Sequence, residues 1–477
     1  MAFIAVKTKV RRLRTHLEFP SLFILHRGAG TNKRGLKIES LESRRITINR
    51  MSAAPKPTSA RQTLAELRAR AQGRKLATAA APGLSESVFR GVTRESPTLI
   101  RFQMNPTIVG YANTLRRTMI TDVETVAFRA DIGETGATGD VVITSNSTPM
   151  SNEMLAHRIG LVPIHVAKPL EWDPEAYSFT LNIVNDTTDP RDVVASDIEV
   201  RQNRGPEEEA LLVPSVQFFH PDPVTHDTTL LTVLKGRIGT QEPESLRFTA
   251  RATVGTGREN AAFMPVTSRC AYGYSRDDDP ERKKEIFTTW LTRHKKVNPT
   301  ELEANPTRKG ELEREFETME VQRCYKINER GEPYSFDFIV ESVGVLDPVY
   351  IVARAIDVLQ AKVLRYGSID SGDLPETLKV RPADARMKGF DFIFQHEDHT
   401  LGNLLQTWME QNLVDSGEIT FAGYKVPHPL RDEMVLRVGV ESGQDSTARA
   451  AVAKAARECA QMFKNWAAQW AAAASSI

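Results

Sequence analysis

Few residues in this chain are spaced so that they could do chemistry. Glu153 and His157 stand four apart within Ser151–Gly160, so on a helix they share one face and could form one edge of a metal site. No third ligand lies near them, and packing or an ion pair is the expected role. Asp277-Asp278-Asp279 resembles a Mg²⁺-binding centre in composition only. No apolar or glycine framework surrounds it to hold three carboxylates about an octahedral ion, so a solvated loop is expected. The three cysteines, Cys270, Cys324 and Cys459, lie far apart and form no C-x-x-C pair. That excludes a disulfide framework and a four-thiolate zinc site, and fits a reducing compartment. His428, between Pro427 and Pro429, reads as part of a rigid turn. No G-x-x-x-x-G-K-S/T loop, G-x-S-x-G elbow or H-E-x-x-H helix occurs. The sequence offers no catalytic residues and no metal ligands of its own.

Two polar helix faces remain. Arg116 and Arg117 follow Asn113 by three and four residues and share its face, opposite Ala112, Leu115 and Met119. A guanidinium fork there suits a carboxylate or carbonyl across an interface, although a solvated face has the same pattern. The second face is His399-Thr400-Leu401-Gly402-Asn403. Here Thr400 is expected to cap the helix, Gly402 to let another backbone approach, and Asn403 to bridge polar groups; a capped surface helix is the plainer alternative.

The elements that position these faces follow from periodicity. Ser96–Gln103 reads as a strand, Asn105-Pro106 as a turn, and Thr107 as the cap of a helix carrying Ala112, Leu115, Met119 and Ile120. Strands are expected over Val126–Ile132 and Val141–Thr144, then a short helix over Ser151–Gly160. Short β-like stretches follow, at Ser178–Val184, Ile198–Arg201, Leu230–Leu234 and Leu246–Val254. Ser275–Glu317 is dense in charge and reads as an exposed excursion with some helix. Tyr334–Val343 returns to strand, and Asp347-Pro348 opens a helix striped by Val352, Ala355, Ile356, Leu359 and Val363. After linker-like Gly367–Pro382, Phe390, Phe392 and Phe394 alternate as a strand, and a helix bears Leu401, Leu404, Leu405 and Trp408. Glu418–Tyr424 and Met434–Val440 are further strands. A closing helix, Ser446–Trp470, aligns Val452, Ala455, Cys459, Met462, Phe463, Trp466 and Trp470. The chain thus holds two versions of one α+β plan, and each leaves an apolar helix stripe that the other can cover.

At 477 residues, with 40% hydrophobic and 26% charged, two or three globular domains are expected. The net charge of +1 hides an asymmetry: residues 1–76 carry eighteen Lys and Arg against four Glu, which is +14 and leaves the rest at −13. An acidic body is a poor nonspecific DNA binder. The basic arm fits a solvated tail, a nucleic-acid contact or an organelle leader, and Met51 is an alternative start of translation. No run approaches the roughly 18 apolar residues of a membrane helix, so a soluble protein is expected.

Particular residues also carry a resemblance. Phe102-Gln103-Met104 with Tyr111-Ala112-Asn113-Thr114-Leu115-Arg116-Arg117-Thr118-Met119 resembles the first helix of the RNA polymerase assembly subunit, called D in archaea and alpha in bacteria, and of the third-largest subunit of eukaryotic RNA polymerase two. Met150–Ile164 looks like the entry to that family's insert domain, and Phe336–Leu346 like the return from it. His399-Thr400-Leu401-Gly402-Asn403-Leu404-Leu405 and Phe421-Ala422-Gly423-Tyr424-Lys425-Val426-Pro427-His428-Pro429-Leu430 are similar to the partner subunit, called L in archaea. The matches span most of residues 90–470. Cys270 stands alone where some members cluster cysteines, so no metal is carried over.

The resemblance implies two alpha-like dimerisation domains in one chain, the first interrupted by a mainly β insert. The expected division is a basic, mostly disordered arm 1–87; a discontinuous D-like domain 88–145 plus 335–367; an insert 146–334; a linker 368–386; and an L-like domain 387–475. It implies a non-catalytic platform that docks the two large subunits of DNA-directed RNA polymerase, with small polymerase subunits as further partners, indirect DNA contact and no membrane. Asn113, Arg116, Arg117, His399, Thr400, Gly402 and Asn403 would face the large subunits. Leu115, Met119, Val352, Ile356, Leu359, Leu401, Leu405, Val452, Cys459, Phe463 and Trp466 would join the halves. No cofactor is expected in this chain, with Mg and any zinc on other subunits. Such a fusion looks like those of large nucleocytoplasmic DNA viruses, which implies a nucleus or a viral factory and virion as its place. The rival readings are a free-standing regulator that binds DNA through the arm and, more weakly, a metal enzyme at Asp277–Asp279.

Overall fold

The computed structural model describes residues 87–131, 139–205, 208–263, 266–299, 302, 305–384, 387–475 and 477. The basic arm up to residue 86, Met51 and Ile132 lie outside the described residues.

The described chain opens with a hairpin, β1 (Phe89–Ser96) and β2 (Leu99–Met104), and α1 (Val109–Thr121) follows. The expected strand Ser96–Gln103 corresponds to β2, and an unexpected strand, β1, precedes it across the turn at Pro97 and Thr98. β1 escapes the periodicity because most of its residues after Phe89 are exposed. Thr107 does not cap α1: it is buried, and Ile108 holds the cap position without a side-chain bond. Next come β3 (Glu124–Phe128), β4 (Val141–Asn146) and α2 (Asn152–Gly160), which Ser151 caps by accepting from the Met154 N–H. A β-rich region contains β5 (Tyr177–Asn185), β6 (Arg191–Val194), β7 (Glu199–Gln202), β8 (Leu211–Val213), β9 (Leu230–Leu234), β10 (Glu244–Ala250) and β11 (Ala252–Thr256). Then follow β12 (Thr267–Tyr274), α3 (Pro280–Trp290), α4 (Pro306–Glu315), β13 (Phe336–Ser342) and α5 (Pro348–Leu364). The last part holds β14 (Leu378–Pro382), β15 (Gly389–Gln395), α6 (His399–Met409), β16 (Phe421–Lys425), β17 (Glu433–Gly439) and α7 (Asp445–Ala474).

Two four-stranded antiparallel sheets frame the molecule's larger core, in the orders β1-β2-β13-β12 and β14-β15-β17-β16. Helices α1 and α5 pack on the first, and α6 and α7 on the second. The helices then meet each other, α5 along α7 and α1 against α6. The β-rich region forms a five-stranded sheet, β4-β10-β5-β7-β8, and two ribbons, β3-β11 and β6-β9, around a separate core that includes Phe128, Phe179, Leu181 and Phe248. The fold is α+β, with a sheet-rich region between two similar halves.

Strand pairing redraws the expected divisions. β3 and β4, placed in the first domain, pair with β11 and β10, and their Val126, Phe128 and Val141 belong to the insert's core. β12, placed in the insert, is instead an edge strand of the first sheet, with Tyr272 opposite Phe338. The sequence hides this because β12 exposes Ser268, Arg269 and Gly273 and has no full apolar face. Between β12 and β13 the chain makes a second excursion, in which α3 and α4 share a small core of Trp290, Leu291, Leu312 and Phe316. The expected linker 368–386 is partly sheet. Its acids and glycine mask β14, whose Leu378 is buried opposite Phe394.

Candidate protein-assembly interface

The apolar seam between the halves comes from residues at helical spacing. α5 turns Val352, Ala355, Ile356, Leu359 and Val363 inward, and α7 answers with Val452, Ala455, Cys459, Phe463 and Trp466. Leu115 and Met119 on α1 and Leu401 and Leu405 on α6 complete it. All of these are buried in one continuous core. α7 also runs past its own half. Trp466 and Trp470 meet Phe89 edge-to-face at 5.9 and 5.1 Å, Trp470 meets Phe102 at 5.0 Å, and the Trp470 indole N–H donates to the Val349 carbonyl at 3.2 Å. The last helix of the second half therefore covers the first half's hairpin. Large aromatics buried this way each remove roughly 150–250 Å² from water.

A polar seam lies beside the apolar one. Arg117 Nε donates to Thr400 Oγ1 at 2.7 Å, and its Nη2 pairs with Asp398 Oδ2 at 3.1 Å. Asp398, rather than Thr400, caps α6, accepting from the Thr400 N–H at 2.7 Å. Both residue types suit the cap, and the turn geometry gives it to the aspartate. Arg258, in the turn after β11, donates to the His396 carbonyl at 2.7 Å and stands 3.8 Å from Asp398. Deeper in, Lys362 on α5 pairs with Asp122 at 2.8 Å and Glu397 at 3.4 Å, and these three side chains are only 13%, 10% and 6% exposed. Arg117 and Lys362 of the first half and Arg258 of the insert thus meet acids that immediately precede α6 in the second half.

Burial pushes Asp398 up, but the Thr400 N–H and hydroxyl bonds, with Arg258 and Arg117, overcome it and hold the carboxyl below its usual range. Glu397 is held above its usual range because burial outweighs the pull of Lys362 and Arg258. The two acids have opposite linkage. A depressed folded-state value means that Asp398 contributes stability above the ordinary aspartate value, roughly 4, and loses it as the pH falls through the folded one. Melting followed from neutral pH down to about 3 should show a steep acid loss, and Asp398→Asn should flatten it; an unchanged slope would count against this role.

The residues expected to face large subunits divide. Arg117 and Thr400 bond each other across the seam between the halves: sequence puts Arg117 on α1's polar face but does not say what lies opposite. Gly402 is also internal. A Cβ there would overlap the Tyr424 ring of β16, so its close neighbour is a side chain of its own half. Asn113 accepts from Arg116 Nε at 3.0 Å on the outer face of α1. His399 is exposed, 3.3 Å from the Tyr424 hydroxyl, and Asn403 is half-buried without a hydrogen bond to a described residue. Sequence reasoning missed Lys362, Glu397, Asp398, Arg258 and Asp122. The only signal was the Glu397-Asp398 pair ahead of a helix.

Two stretches of the chain match models of one family. Residues 101–363 and residues 390–469 each match a model of the RNA polymerase Rpb3/Rpb11 dimerisation domain. The chain belongs to the RNA polymerase Rpb3/Rpb11 dimerisation-domain family. It carries two Rpb3/Rpb11 dimerisation domains, and their helices α5 and α7 meet within one polypeptide. The Rpb3/Rpb11-type chain is 26% identical over 281 residues to DNA-directed RNA polymerase II subunit RPB3 of Schizosaccharomyces pombe, covering 58% of this chain and 84% of that protein. It is 25% identical over 276 residues to the polymerase subunit Rpo3 of Methanopyrus kandleri, covering 55% and 88%. A conjugation stage-specific protein of Tetrahymena thermophila is 23% identical over 289 residues, covering 54% and 86%.

The three aspartates are otherwise engaged. Asp279 caps α3, Asp277 accepts from the Asp279 N–H at 3.2 Å, and Asp278 stands 3.3 Å from Arg276. Glu153 and His157 are exposed on α2. Among the described residues no group of three or more His, Cys, Asp or Glu is arranged to hold a metal ion, and no helix is long and apolar enough to cross a membrane. The His428 ring accepts from the Leu430 N–H at 3.1 Å, as suits a tight turn.

Proposed function

We propose that this chain is a non-catalytic assembly platform of DNA-directed RNA polymerase, a D-type and an L-type subunit fused into one polypeptide. The observation that carries the reading is the packing of α5 on α7, which joins two dimerisation domains of one chain through a single core. Homology to Rpo3 and RPB3 subunits supports the assembly role. Joining the halves raises the effective concentration of each for the other, so the platform closes without a bimolecular step. The closed platform offers Asn113, Arg116, His399 and Asn403 to the two largest polymerase subunits, while Arg117 and Thr400 tie α1 to α6 and Gly402 lets α6 sit close on β16. Small polymerase subunits complete the assembly, DNA contact is indirect, and no membrane is involved. Magnesium, and any zinc, belongs to other subunits. A soluble intracellular chain in the nucleus, or in a viral factory and virion, fits a fusion of the viral kind.

Affinity purification of the tagged chain with identification of bound proteins tests the reading. The two largest polymerase subunits are expected in near-stoichiometric amounts. Recovery of the chain alone, with a gel shift of DNA by the isolated protein that is lost when residues 1–76 are removed, would instead favour a DNA-binding regulator.

A further inference from the structure

The two arginines of α1 have different fates. Arg117 is engaged by Thr400 and Asp398, whereas Arg116 donates only through Nε, to Asn113, so its terminal nitrogens have no acceptor among the described residues. Arg116 borders a groove of about 490 Å³ between α1 and β12, lined by Asn113, Cys270, Tyr272 and Tyr274 and containing no acid. Tyr274 is 45% exposed, and neither phenol has a described hydrogen-bond partner. β12 forms the groove's other wall, and it ends its sheet: it pairs with β13 on one side and with no described strand on the other.

We infer that this groove binds an extended segment of a partner protein that lies along the open edge of β12 and places an Asp or Glu carboxylate on Arg116. The inference rests on the platform reading and names the chemistry of one of its contacts. An open strand edge offers main-chain hydrogen bonds to a peptide, and a guanidinium with two free terminal nitrogens forms a bidentate pair with a carboxylate. The two phenols add donors for the same oxygens. A nucleic-acid backbone is the poorer occupant. Phosphate binding draws on several cations, whereas this groove has one, within a body whose residues beyond the basic arm sum to −13.

The test uses the full chain carrying Tyr274→p-benzoylphenylalanine, expressed in cells that contain its polymerase, irradiated and then digested for peptide identification. One segment of a polymerase protein, with an Asp or Glu beside the cross-link, is the expected product. Arg116→Glu should reduce that cross-link at least tenfold, Arg116→Lys should keep part of it, and changing the identified acid to Arg should restore it to the Arg116→Glu chain. Melting of each Arg116 variant should match the parent, since the Arg116 side chain bonds only its helix neighbour Asn113 and the Cys270 thiol donates to the main-chain carbonyl that every variant keeps. A cross-link to nucleic acid, a cross-link indifferent to Arg116→Glu, or none in a chain that still co-purifies with polymerase would overturn the inference alone. Failure of the uncross-linked chain to recover any polymerase subunit would overturn the platform reading, and the groove's role with it.

Discussion

Phe463→Asp should destabilise the chain by at least about 4 kcal/mol, enough to lower the melting temperature by roughly 5 °C. The phenyl ring is fully buried on α7, edge-to-face with Trp466 at 5.4 Å, within the core that holds α5 and both sheets. A carboxylate there loses the ring's contacts and is left without a partner. Because α7 also covers Phe89 and Phe102, limited proteolysis of the variant should release both the last helix and the β1–β2 hairpin. Were the Ala-rich end of α7 a loose extension with incidental aromatics, melting and digestion would match those of the unmodified chain.

Lys362→Met should rank next, costing about 3 kcal/mol at neutral pH. A single exposed ion pair contributes roughly 0–1 kcal/mol, but removing one member of a buried set strands the other charges. Here Asp122 and Glu397 would remain, 10% and 6% exposed, without their cation. The deficit should shrink in the Lys362→Met, Glu397→Gln double variant. It should also shrink as the pH falls, because burial already holds Glu397 above its usual value and protonation removes the stranded charge. A single variant that melts like the parent at every pH would show that the polar seam adds nothing to docking.

How much of this is legible in the sequence depends on what each residue is asked to reveal. The stripes of α5 and α7 are legible because three- and four-residue spacing reports a buried helix face whatever covers it. Arg117 shows the limit of the same method. Its place on α1's polar face is correct, but Thr400 and Asp398 lie more than 280 residues away in sequence, and no periodicity reports a partner that distant. β12 and β14 are edge strands with exposed residues, and their identity comes from β13 and β15, against which they pair. The insert's boundaries were misplaced for that reason. Lys362 was missed because a lone lysine beside an apolar stripe looks like a solvated neighbour until Asp122 and Glu397 are brought to it.

The docking of two halves within one chain is open to a direct cut. Ser371, Gly372 and Asp373 are exposed, ahead of buried Leu378 and β14, so a protease site built there severs the connection without removing a strand. After complete cleavage in native buffer, both fragments should elute together on a sizing column at the mass of the intact chain, held by α5 against α7 and by the Lys362 and Arg117 contacts. Elution as two separate, smaller species would contradict the intramolecular heterodimer.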